Sequence, residues 1–284
     1  MAACGIVGEF KENNELILVD KKPVPPGLSN GCMVLNMDIT DHKAVYDKLS
    51  SLNPDVIIHA AAYTDVDGCE KNRDDAFKIN AVGARNVALA CQRFDTVMLY
   101  VSTDYVFDGR KKEPYKENDT PAPLNVYGES KHMGEGYVKE LINKHYIVRS
   151  SAFFGTGGRN FVTDILRLSK ENEALRVVED QVTSPTYTRD FSRAIKNLIG
   201  TGLYGTWHIT NSGSCSWHEF AVQILKNANI RKEITKINSL QLDRAAKRPA
   251  YSALGNYLWE LQGFEPLRNW KEALADYMKE ETII

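Results

Sequence analysis

The sequence predicts an α/β fold: a doubly wound parallel sheet with a smaller C-terminal substrate lobe. Short apolar runs rich in β-branched residues alternate with stretches of helical length over the first 210 residues. Such continuous runs are typical of strands buried on both faces of a parallel sheet, and the alternation with helices predicts parallel strand order. No linker rich in Pro, Gly or Ser divides the 284 residues, so we expect the two lobes to pack closely around a cleft.

Each predicted element follows from its local pattern. The apolar runs predict strands at residues 16–19, 33–39, 55–60, 96–102, 145–150 and 205–210. Amphipathic stretches predict helices at residues 41–52, 69–94, 126–141 and 217–228. The helix at 41–52 follows Thr40, a good N-cap residue, and stops before Asn53-Pro54. Beyond residue 150 the alternation is less regular, which is why we assign that part mainly to the second lobe.

Composition narrows the class of protein. The 35 Lys and Arg against 37 Asp and Glu give a net charge of −2, which offers no bulk attraction to nucleic acid or to anionic membranes. No apolar run approaches the roughly 20 residues of a membrane span. The five cysteines are scattered without a Cys-x-x-Cys pair, and the six histidines form no metal motif. We therefore expect a cytoplasmic protein with no metal, no nucleic-acid partner and no membrane.

The first chemical signal lies at the start of the chain. Gly5 and Gly8 stand three residues apart, and Asp20 ends the first predicted strand. Glycines at a strand-to-helix turn let the backbone approach a pyrophosphate, and an acidic residue after the next strand binds the adenosine ribose. The apolar strand that precedes such a turn is not in the sequence. We therefore interpret residues 5–8 as a phosphate-binding turn whose first strand is missing.

A stronger signal combines Thr103, Tyr127 and Lys131. Thr103 follows a predicted buried strand, and Tyr127 and Lys131 share one face of a predicted helix at positions i and i+4. A phenol with a pKa of roughly 10 is a poor acid at neutral pH, but a neighbouring ammonium would lower that pKa. Tyr-x-x-x-Lys also occurs in helices where the tyrosine merely packs. Its place after the strand that ends in Ser102-Thr103 favours polarisation of a ketone during hydride transfer.

Several motifs together resemble one family. They are Asp38-Ile39-Thr40, residues 54–67, Ile79-Asn80-Ala81, Ser102-Thr103-Asp104-Tyr105-Val106-Phe107-Asp108-Gly109, Tyr127-Gly-Glu-Ser-Lys131, Asn160-Phe-Val, Pro185-Thr186 and Lys247-Arg248-Pro249. Spread over nearly the whole chain, they resemble the dTDP-4-dehydrorhamnose reductases, a family of extended short-chain dehydrogenases/reductases. The resemblance implies a dinucleotide-binding Rossmann domain at residues 1–151 with 187–210. Residues 152–186 with 211–284 would form the nucleotide-sugar-binding lobe.

The resemblance also implies roles for individual residues. Thr103, Tyr127 and Lys131 would be catalytic, with Tyr127 protonating the C4 oxygen as hydride arrives. The cofactor, NADPH or NADH, would contact Gly5, Ile6, Val7, Asp20, Asp38, Ile39, Ala60, Ala61, Tyr63, Tyr127 and Lys131. The nucleotide sugar would contact Thr103, Tyr105, Val106, Asn160, Thr186 and Arg248. A planar guanidinium suits a diphosphate on physical grounds as well.

The activity implied is reduction of the C4 ketone of dTDP-4-dehydro-L-rhamnose to dTDP-L-rhamnose, the last step of dTDP-rhamnose biosynthesis. Related dehydratases carry Thr-Asp-Glu after the strand, whereas here Tyr105 follows Thr103-Asp104, so reduction is favoured over loss of water. Ala152 stands where relatives often carry a tryptophan beside the sugar. A reductase of another nucleotide sugar therefore stays an alternative.

Three further questions stay open at this point. A non-catalytic binding subunit, similar to the β subunit of methionine adenosyltransferase, would not need the complete Thr, Tyr and Lys set that this chain has. Asp20 favours NADH because a carboxylate repels a 2′-phosphate, whereas Lys21 and Lys22 could receive that phosphate. Homodimers occur in some relatives, and no residue here identifies such an interface.

Overall fold

Strands and helices alternate along the chain in the computed structural model, which describes residues 1–29 and 31–280. The strands are β1 (Ile17–Asp20), β2 (Met33–Asn36), β3 (Val56–His59), β4 (Val97–Thr103), β5 (His145–Ser150), β6 (Phe153–Phe154), β7 (Ala174–Val178), β8 (Val182–Thr183), β9 (Thr186–Tyr187), β10 (Gly205–His208), β11 (Cys215–Ser216) and β12 (Glu233–Ile237). The helices are α1 (Ala2–Phe10), α2 (Pro26–Ser29), α3 (His42–Leu52), α4 (Val66–Lys71), α5 (Arg73–Phe77), α6 (Ala84–Phe94), α7 (Val126–Leu141), α8 (Phe161–Glu171), α9 (Thr188–Ile199), α10 (Trp217–Asn227), α11 (Tyr257–Leu261) and α12 (Trp270–Glu280).

Four parallel strands form the main sheet, in the order β10-β5-β4-β3. β1 and β2 form a separate parallel pair. Alternate residues of β4 reach opposite helical layers: Met98 and Tyr100 pack with residues of α3 and α6, whereas Leu99 packs with residues of α9. Burial on both faces explains why these strands are continuous apolar runs in the sequence. The predicted doubly wound parallel fold is confirmed.

The six strands predicted from apolar runs are all present, with shifts of one or two residues at most of their ends. The largest difference is at residues 33–39, where β2 ends at Asn36. Asp38 causes this early end, because its carboxylate accepts hydrogen bonds from the amide and the hydroxyl of Thr40 at 2.9 and 2.8 Å. Such an Asx turn leads the chain out of the strand and into α3.

The prediction of a turn at residues 5–8 is wrong, because α1 runs through it. Ile6 and Val7 are buried, and Ile6 packs with residues of α9. A Cβ atom at Gly5 would lie 2.6 Å from the carbonyl oxygen of Thr188, so glycine lets α1 approach α9 closely. The glycine thus serves helix packing, and Ala2 and Ala3 beside it favour a helix over a turn.

The single helix predicted at residues 69–94 is also wrong. The segment contains α4, α5, a π-helical stretch at Lys78–Gly83, and α6. Asn72 leaves helical geometry with φ −130° and ψ 60°, which separates α4 from α5. In the π stretch the carbonyl of Asn80 accepts a hydrogen bond from the hydroxyl of Tyr100 at 3.2 Å. Single π turns of this kind are frequent at functional sites.

The C-terminal lobe has its own core. Apolar side chains of α8, α10 and α12 surround Phe154 and Phe220, both fully buried. The parallel pair of β7 and β12 lies against α8 and α10. This core places a substrate lobe beside the sheet, and the exact residue limits of the two lobes stay a prediction.

The described residues also bear on disulfide bonds, membrane spans and metal sites. All five cysteines are free thiols. Within residues 1–29 and 31–280, no helix combines the length and apolarity needed to cross a bilayer. In the same ranges no group of three or more His, Cys, Asp and Glu side chains is placed to hold a metal ion.

Candidate active site at the carboxyl edge of the sheet

Thr103 ends the central strand β4 and begins the candidate active site. The backbone turns there into a 3₁₀ turn, Asp104–Val106, which the Thr103 hydroxyl caps by accepting from the amide of Tyr105 at 3.2 Å. The same hydroxyl donates to the carboxylate of Asp104 at 3.1 Å. Ligands of open parallel sheets bind outside the carboxyl ends of the strands, and Thr103 is held at that edge.

Helix α7 brings Tyr127 and Lys131 to the same edge. Its first turn is fixed by Asn125, whose side chain accepts from the amide of Gly128 at 2.8 Å. A Cβ atom at Gly128 would lie 2.2 Å from the carbonyl oxygen of Tyr105, so only glycine allows this approach. Tyr127 consequently lies close enough to Thr103 for that hydroxyl to influence its pKa, and its ring lies edge-on to that of Tyr105 with centroids 5.8 Å apart. The predicted catalytic residues are thus brought together.

The acidity of Tyr127 differs from the sequence-based expectation. Burial raises the pKa of its phenol above the ordinary value, and the hydrogen bond from Thr103 opposes that rise only in part. Asp104 and Tyr105 raise this pKa further through their charges. We expected Lys131 to lower the pKa of Tyr127. This expectation is wrong for the protein on its own, because the ammonium of Lys131 is directed elsewhere.

Lys131 lies deep in the site. Its ammonium donates to the carbonyl of Val101 at 2.8 Å and lies 3.9 Å from the centre of the Tyr100 ring. Burial lowers the pKa of Lys131 to about 7, although the charge of Glu135 opposes the shift. A lysine with this pKa exchanges its proton in the neutral range, as groups at functional sites often do.

Asp104 is a buried carboxyl between the two lobes. It accepts from Thr103 and, at 2.5 Å, from the hydroxyl of Ser252. Burial raises its pKa to about 7, and the two hydroxyl hydrogen bonds act in the opposite direction. The carboxyl therefore connects the end of β4 to the substrate lobe and titrates near neutrality.

A buried ion pair lies beneath the catalytic residues. Arg149 on β5 donates to both oxygens of Glu135 on α7 at 2.8 and 2.7 Å, and both side chains are at most 1% exposed. Ser102 adds a hydrogen bond to the same carboxylate at 2.7 Å. These contacts hold the pKa of Glu135 well below its usual range in spite of burial. The pair fixes α7, β4 and β5 relative to each other, directly next to Thr103 and Lys131.

The residues expected to bind the adenosine part of the cofactor lie at the end of β1 and just after β2. Asp20 is exposed, and its carboxylate accepts from the amide of Lys22 at 2.7 Å. Asp38 forms an ion pair with Lys21 at 2.7 Å, and this contact lowers the pKa of Asp38 to about 2. Ile39 is half-buried against the sheet core. Their contacts with the cofactor stay a prediction, as does the choice between NADH and NADPH.

Ala60, Ala61 and Tyr63 follow β3 at the same edge of the sheet. Asn80 fixes this loop, because its side chain accepts from the amide of Tyr63 at 2.7 Å and donates to the carbonyl of Tyr63 at 3.1 Å. It also donates to Ser130 of α7 at 3.0 Å. The small side chains of Ala60 and Ala61 leave the edge open beside Thr103. This position suits a nicotinamide ribose.

Gly5, Ile6 and Val7, the predicted pyrophosphate contacts, lie on α1. Gly5 is in the first turn of the helix, and its amide donates to the carbonyl of Met1 at 3.5 Å. The apolar side chains of Ile6 and Val7 face the core instead. A contact of these residues with the cofactor stays a prediction, and for Ile6 and Val7 it would involve the backbone.

Arg248, expected to bind the diphosphate, contacts an acidic residue of the other lobe. Its guanidinium donates to both carboxylate oxygens of Asp67 at 2.6 and 2.7 Å. The amide of Ala246 adds a third hydrogen bond to Asp67 at 2.9 Å. These contacts lower the pKa of Asp67 to about 2, and the hydrogen bonds from the Arg248 guanidinium have the largest effect. Arg248 also lies close enough to Tyr105 to interact with its hydroxyl electrostatically.

The other predicted substrate residues are enclosed in the protein. Val106 is fully buried in a small apolar cluster. Thr186 is buried and donates to the carbonyl of Ser184 at 3.1 Å. Asn160 caps α8 by accepting from the amide of Thr163 at 3.1 Å, and its amide donates to Gly155 at 2.9 Å. Their contacts with a substrate stay predictions.

The cleft beside Tyr105 is narrow. The cavity there measures about 10 Å³, which holds about one water molecule, and Trp217, Pro249 and Ser252 help to enclose it. A sugar ring needs more space than this cavity offers. Ala152, at the position of the tryptophan of many relatives, adopts a positive φ of 43° in the loop after β5.

Sequence reasoning missed the roles of several residues. Asn80, Asp67 and Asp104 lie within the motifs of the sequence, and Ser252 lies three residues after Lys247-Arg248-Pro249, but the motifs themselves do not indicate their roles. Asn80 orders the loop after β3, and Asp104 and Ser252 link the lobes. Polar residues directly after predicted strands are the signal that could have identified Asp104. The pairing of Asp67 with Arg248 joins residues 181 positions apart and leaves no local pattern.

The doubly wound sheet with Thr103, Tyr127 and Lys131 at its carboxyl edge defines a dinucleotide-dependent oxidoreductase of the short-chain type. A family model described as the RmlD substrate binding domain matches residues 6–283, and the chain belongs to this family. The family resemblance inferred from the sequence motifs is therefore confirmed.

Relatives and solved structures agree with this assignment. The chain is 39% identical over 246 residues to the spore coat polysaccharide biosynthesis protein SpsK of Bacillus subtilis, covering 87% of this chain and 86% of the relative. It is 37% identical to a dTDP-4-dehydrorhamnose reductase of Streptomyces griseus, covering 85% and 82%. The crystal structure of dTDP-4-dehydrorhamnose reductase from Bacillus anthracis in complex with NADP superposes with a TM-score of 0.86 at 41% identity, covering 94% of this chain and 99% of that one.

Proposed function

We propose that the protein reduces the C4 ketone of dTDP-4-dehydro-L-rhamnose to dTDP-L-rhamnose with NADPH or NADH, the last step of dTDP-rhamnose biosynthesis. The observation that carries the proposal is the meeting of Thr103, Tyr127 and Lys131 at the carboxyl edge of the sheet. Relatives at 37–39% identity that are named dTDP-4-dehydrorhamnose reductases support the choice of substrate.

The residues at this edge fit the nicotinamide end of a dinucleotide. Lys131 presents an ammonium beneath the site, and Ala60 and Ala61 leave space beside it at the end of β3. Lys131 would hold the ribose hydroxyls, and Asp20 those of the adenosine ribose. The cofactor, when bound, would supply the hydride. Tyr127 would give up its proton more readily beside the positive ring of the oxidised cofactor, because a nearby positive charge favours the phenolate and offsets the effect of burial on its pKa.

Tyr127 supplies the proton. The phenol is protonated at neutral pH because burial raises its pKa, and a protonated phenol is the form that can donate to the C4 oxygen. Thr103, which lies close to Tyr127, would hold the same oxygen and keep it in line with the phenol. The C4 carbon gains a hydride and its oxygen gains the proton of Tyr127, so the ketone becomes a secondary alcohol.

Dehydration is a less suitable reaction for this site. Loss of water needs a base that removes a proton from carbon as well as an acid for the leaving hydroxyl. Asp104 is one carboxyl near Thr103, but the next position is Tyr105, whose ring packs on Tyr127. Burial raises the pKa of Tyr105 to about 12, so its phenol stays protonated at neutral pH and cannot act as the base.

Consumption of NADPH and NADH with dTDP-4-dehydro-L-rhamnose tests the proposal, with the product identified by NMR. Tyr127→Phe should lower kcat by roughly 10²–10⁴ because the proton donor is lost. Tyr137→Phe, on the same helix α7 and stacked under Arg85, is the matched control and should leave activity unchanged.

Three results would contradict the proposal. Full activity in Tyr127→Phe would exclude the proposed acid. Turnover of dTDP-glucose to a 4-keto sugar would indicate a dehydratase. A higher kcat/KM for dTDP-4-keto-6-deoxy-D-glucose than for the rhamnose precursor would assign a different nucleotide sugar. This comparison matters because Ala152 stands where relatives often carry a tryptophan beside the sugar.

A further inference from the structure

The ion pair between Asp67 and Arg248 joins the two lobes at the mouth of the cleft. Asp67 lies at the start of α4, directly after the loop that follows β3, and Arg248 belongs to the segment that closes the cleft. The pairing is bidentate, the geometry that an arginine also uses for a phosphate. The carboxylate therefore occupies the same donors of Arg248 that a diphosphate would need.

The two partners differ in their access to solvent. The Arg248 side chain is 10% exposed, whereas that of Asp67 is 34% exposed. Arg248 is covered because its guanidinium also donates to the carbonyl of Ala246 at 2.7 Å. An incoming anion can thus reach the carboxylate side of the pair, and exchange of one anion for another would not require Arg248 to leave its place.

Positive charge exceeds negative charge in this cluster. Arg244 lies close enough to Arg248, Tyr105 and Asp67 to interact with all three electrostatically. Among the residues that the structure describes, Arg244 forms no ion pair. A second guanidinium therefore lies near the pair of Arg248 and Asp67 without binding the carboxylate, a charge balance that favours replacement of Asp67 by a more highly charged anion.

The same contacts close the cleft. Asn125, the N-cap residue of α7, donates to the carbonyl of Lys247 at 2.8 Å, and Ser252 donates to Asp104. The cavity enclosed beneath Pro249 has room for about one water molecule. Release of Arg248 from Asp67 would remove one of the contacts that hold this segment against the other lobe.

We propose that Asp67 is an internal competitor of the substrate, a carboxylate that holds Arg248 and keeps the cleft closed until the diphosphate of a nucleotide sugar replaces it. The proposal rests on the proposed function for the class of ligand, a nucleoside diphosphate. Asp67 would thus set the affinity for the nucleotide sugar, and Arg244 would be a second cation for the incoming diphosphate.

Titration calorimetry with dTDP as the probe tests the exchange without any turnover. Asp67→Asn removes the competing charge and should tighten dTDP binding by about 3- to 10-fold, because Arg248 no longer has to be released from a carboxylate before it can bind the diphosphate. Arg248→Gln should weaken binding by about 10- to 100-fold. The double variant should resemble Arg248→Gln alone, since Asp67 acts only through Arg248. Arg244→Gln should weaken binding less than Arg248→Gln.

Asp65→Asn is the matched control. It removes the same charge two residues away, and an asparagine keeps the N-cap that Asp65 provides by accepting from the amide of Gly68 at 3.0 Å. This variant should leave dTDP affinity unchanged. Weaker or unchanged dTDP binding in Asp67→Asn would overturn the proposal, and so would equal tightening in Asp65→Asn or no binding of dTDP to the native chain.

Hydrogen exchange of the native chain gives a second readout that does not depend on any variant folding. The amide of Ala246 donates to Asp67, so dTDP should increase its exchange by freeing it. Slower exchange at Ala246 on addition of dTDP would overturn the proposal. Tight dTDP binding with the expected exchange but no ketone reduction would leave the competitor role intact and refute the proposed reaction alone.

Discussion

The hydroxyl of Ser252 donates a 2.5 Å hydrogen bond to the carboxylate of Asp104, and both side chains are buried where the lobes meet. Because Asp104 also accepts from Thr103, one carboxyl joins the Ser252 segment to a residue that we propose as catalytic. Movement of the Ser252 segment on substrate entry would therefore change the hydrogen bonding of Thr103. The position of Thr103 and the closure of the cleft are physically linked through Asp104.

Asp104 should make stability depend on pH near neutrality. Its pKa in the folded chain is about 7, above that of an unfolded aspartate at roughly 3.9. The stabilising contribution of the protonated carboxyl is complete below the unfolded pKa and is lost as pH rises through the folded pKa. Asp104→Asn, which cannot ionise, should raise Tm relative to the native chain more at about pH 8 than at about pH 5.

Ser252→Ala is the companion variant for Asp104. Its hydroxyl lowers the pKa of Asp104, so removing it should move the pH at which stability is lost to a higher value. Melting curves over a range of pH measure both effects. A difference between Asp104→Asn and the native chain that does not change with pH would contradict the assignment of the titrating group.

The ion pair of Glu135 and Arg149 should be sensitive to the loss of either partner. Both side chains are at most 1% exposed, so one removed partner leaves a buried charge without compensation. Glu135→Gln or Arg149→Met should each cost about 3–5 kcal/mol in the free energy of unfolding, measured with urea. The double variant should cost clearly less than the sum. Additive losses would show that the two side chains do not act as a pair.

Much of the fold could be predicted because its information is local. β4 and β5 are buried on both faces, so they are continuous apolar runs, and α7 occupies the predicted residues 126–141. The arrangement of Thr103, Tyr127 and Lys131 was also accessible, since a strand end and an i, i+4 spacing fix it. These features need no knowledge of which residues distant in the chain come together.

The rest depends on tertiary contacts. Gly5 looks like a turn residue, yet it serves the packing of α1 on α9, which only the position of Thr188 reveals. The π stretch around Asn80 forms where Tyr100 of a different element offers a hydrogen bond. The expected lowering of the Tyr127 pKa was wrong because burial, which no spacing encodes, raises it, and the charges of Asp104 and Tyr105 raise it further.

Lys131 should make cofactor affinity depend on pH. Its pKa of about 7 means that the ammonium loses its proton as pH rises through the neutral range. The cation is the form that can donate to ribose and attract phosphate, so the Kd for NADPH should increase from about pH 6 to about pH 8. Fluorescence titration measures this dependence. In Lys131→Met binding should be weaker and the dependence much smaller, and an unchanged slope would assign the titration to another group.

Two glycines of α1 should respond to alanine in opposite directions. At Gly5 a Cβ atom would lie 2.6 Å from the carbonyl oxygen of Thr188 and 2.7 Å from the hydroxyl of Ser192, so α1 and α9 must separate. Gly5→Ala should therefore cost about 1–3 kcal/mol in the free energy of unfolding. Gly8 is exposed with no atom within 4 Å of a Cβ position, so Gly8→Ala should stabilise by about 0.5–1 kcal/mol through helix propensity. Urea denaturation of the two variants compares them directly. Equal effects would mean that residues 5–8 are not part of a helix packed on α9.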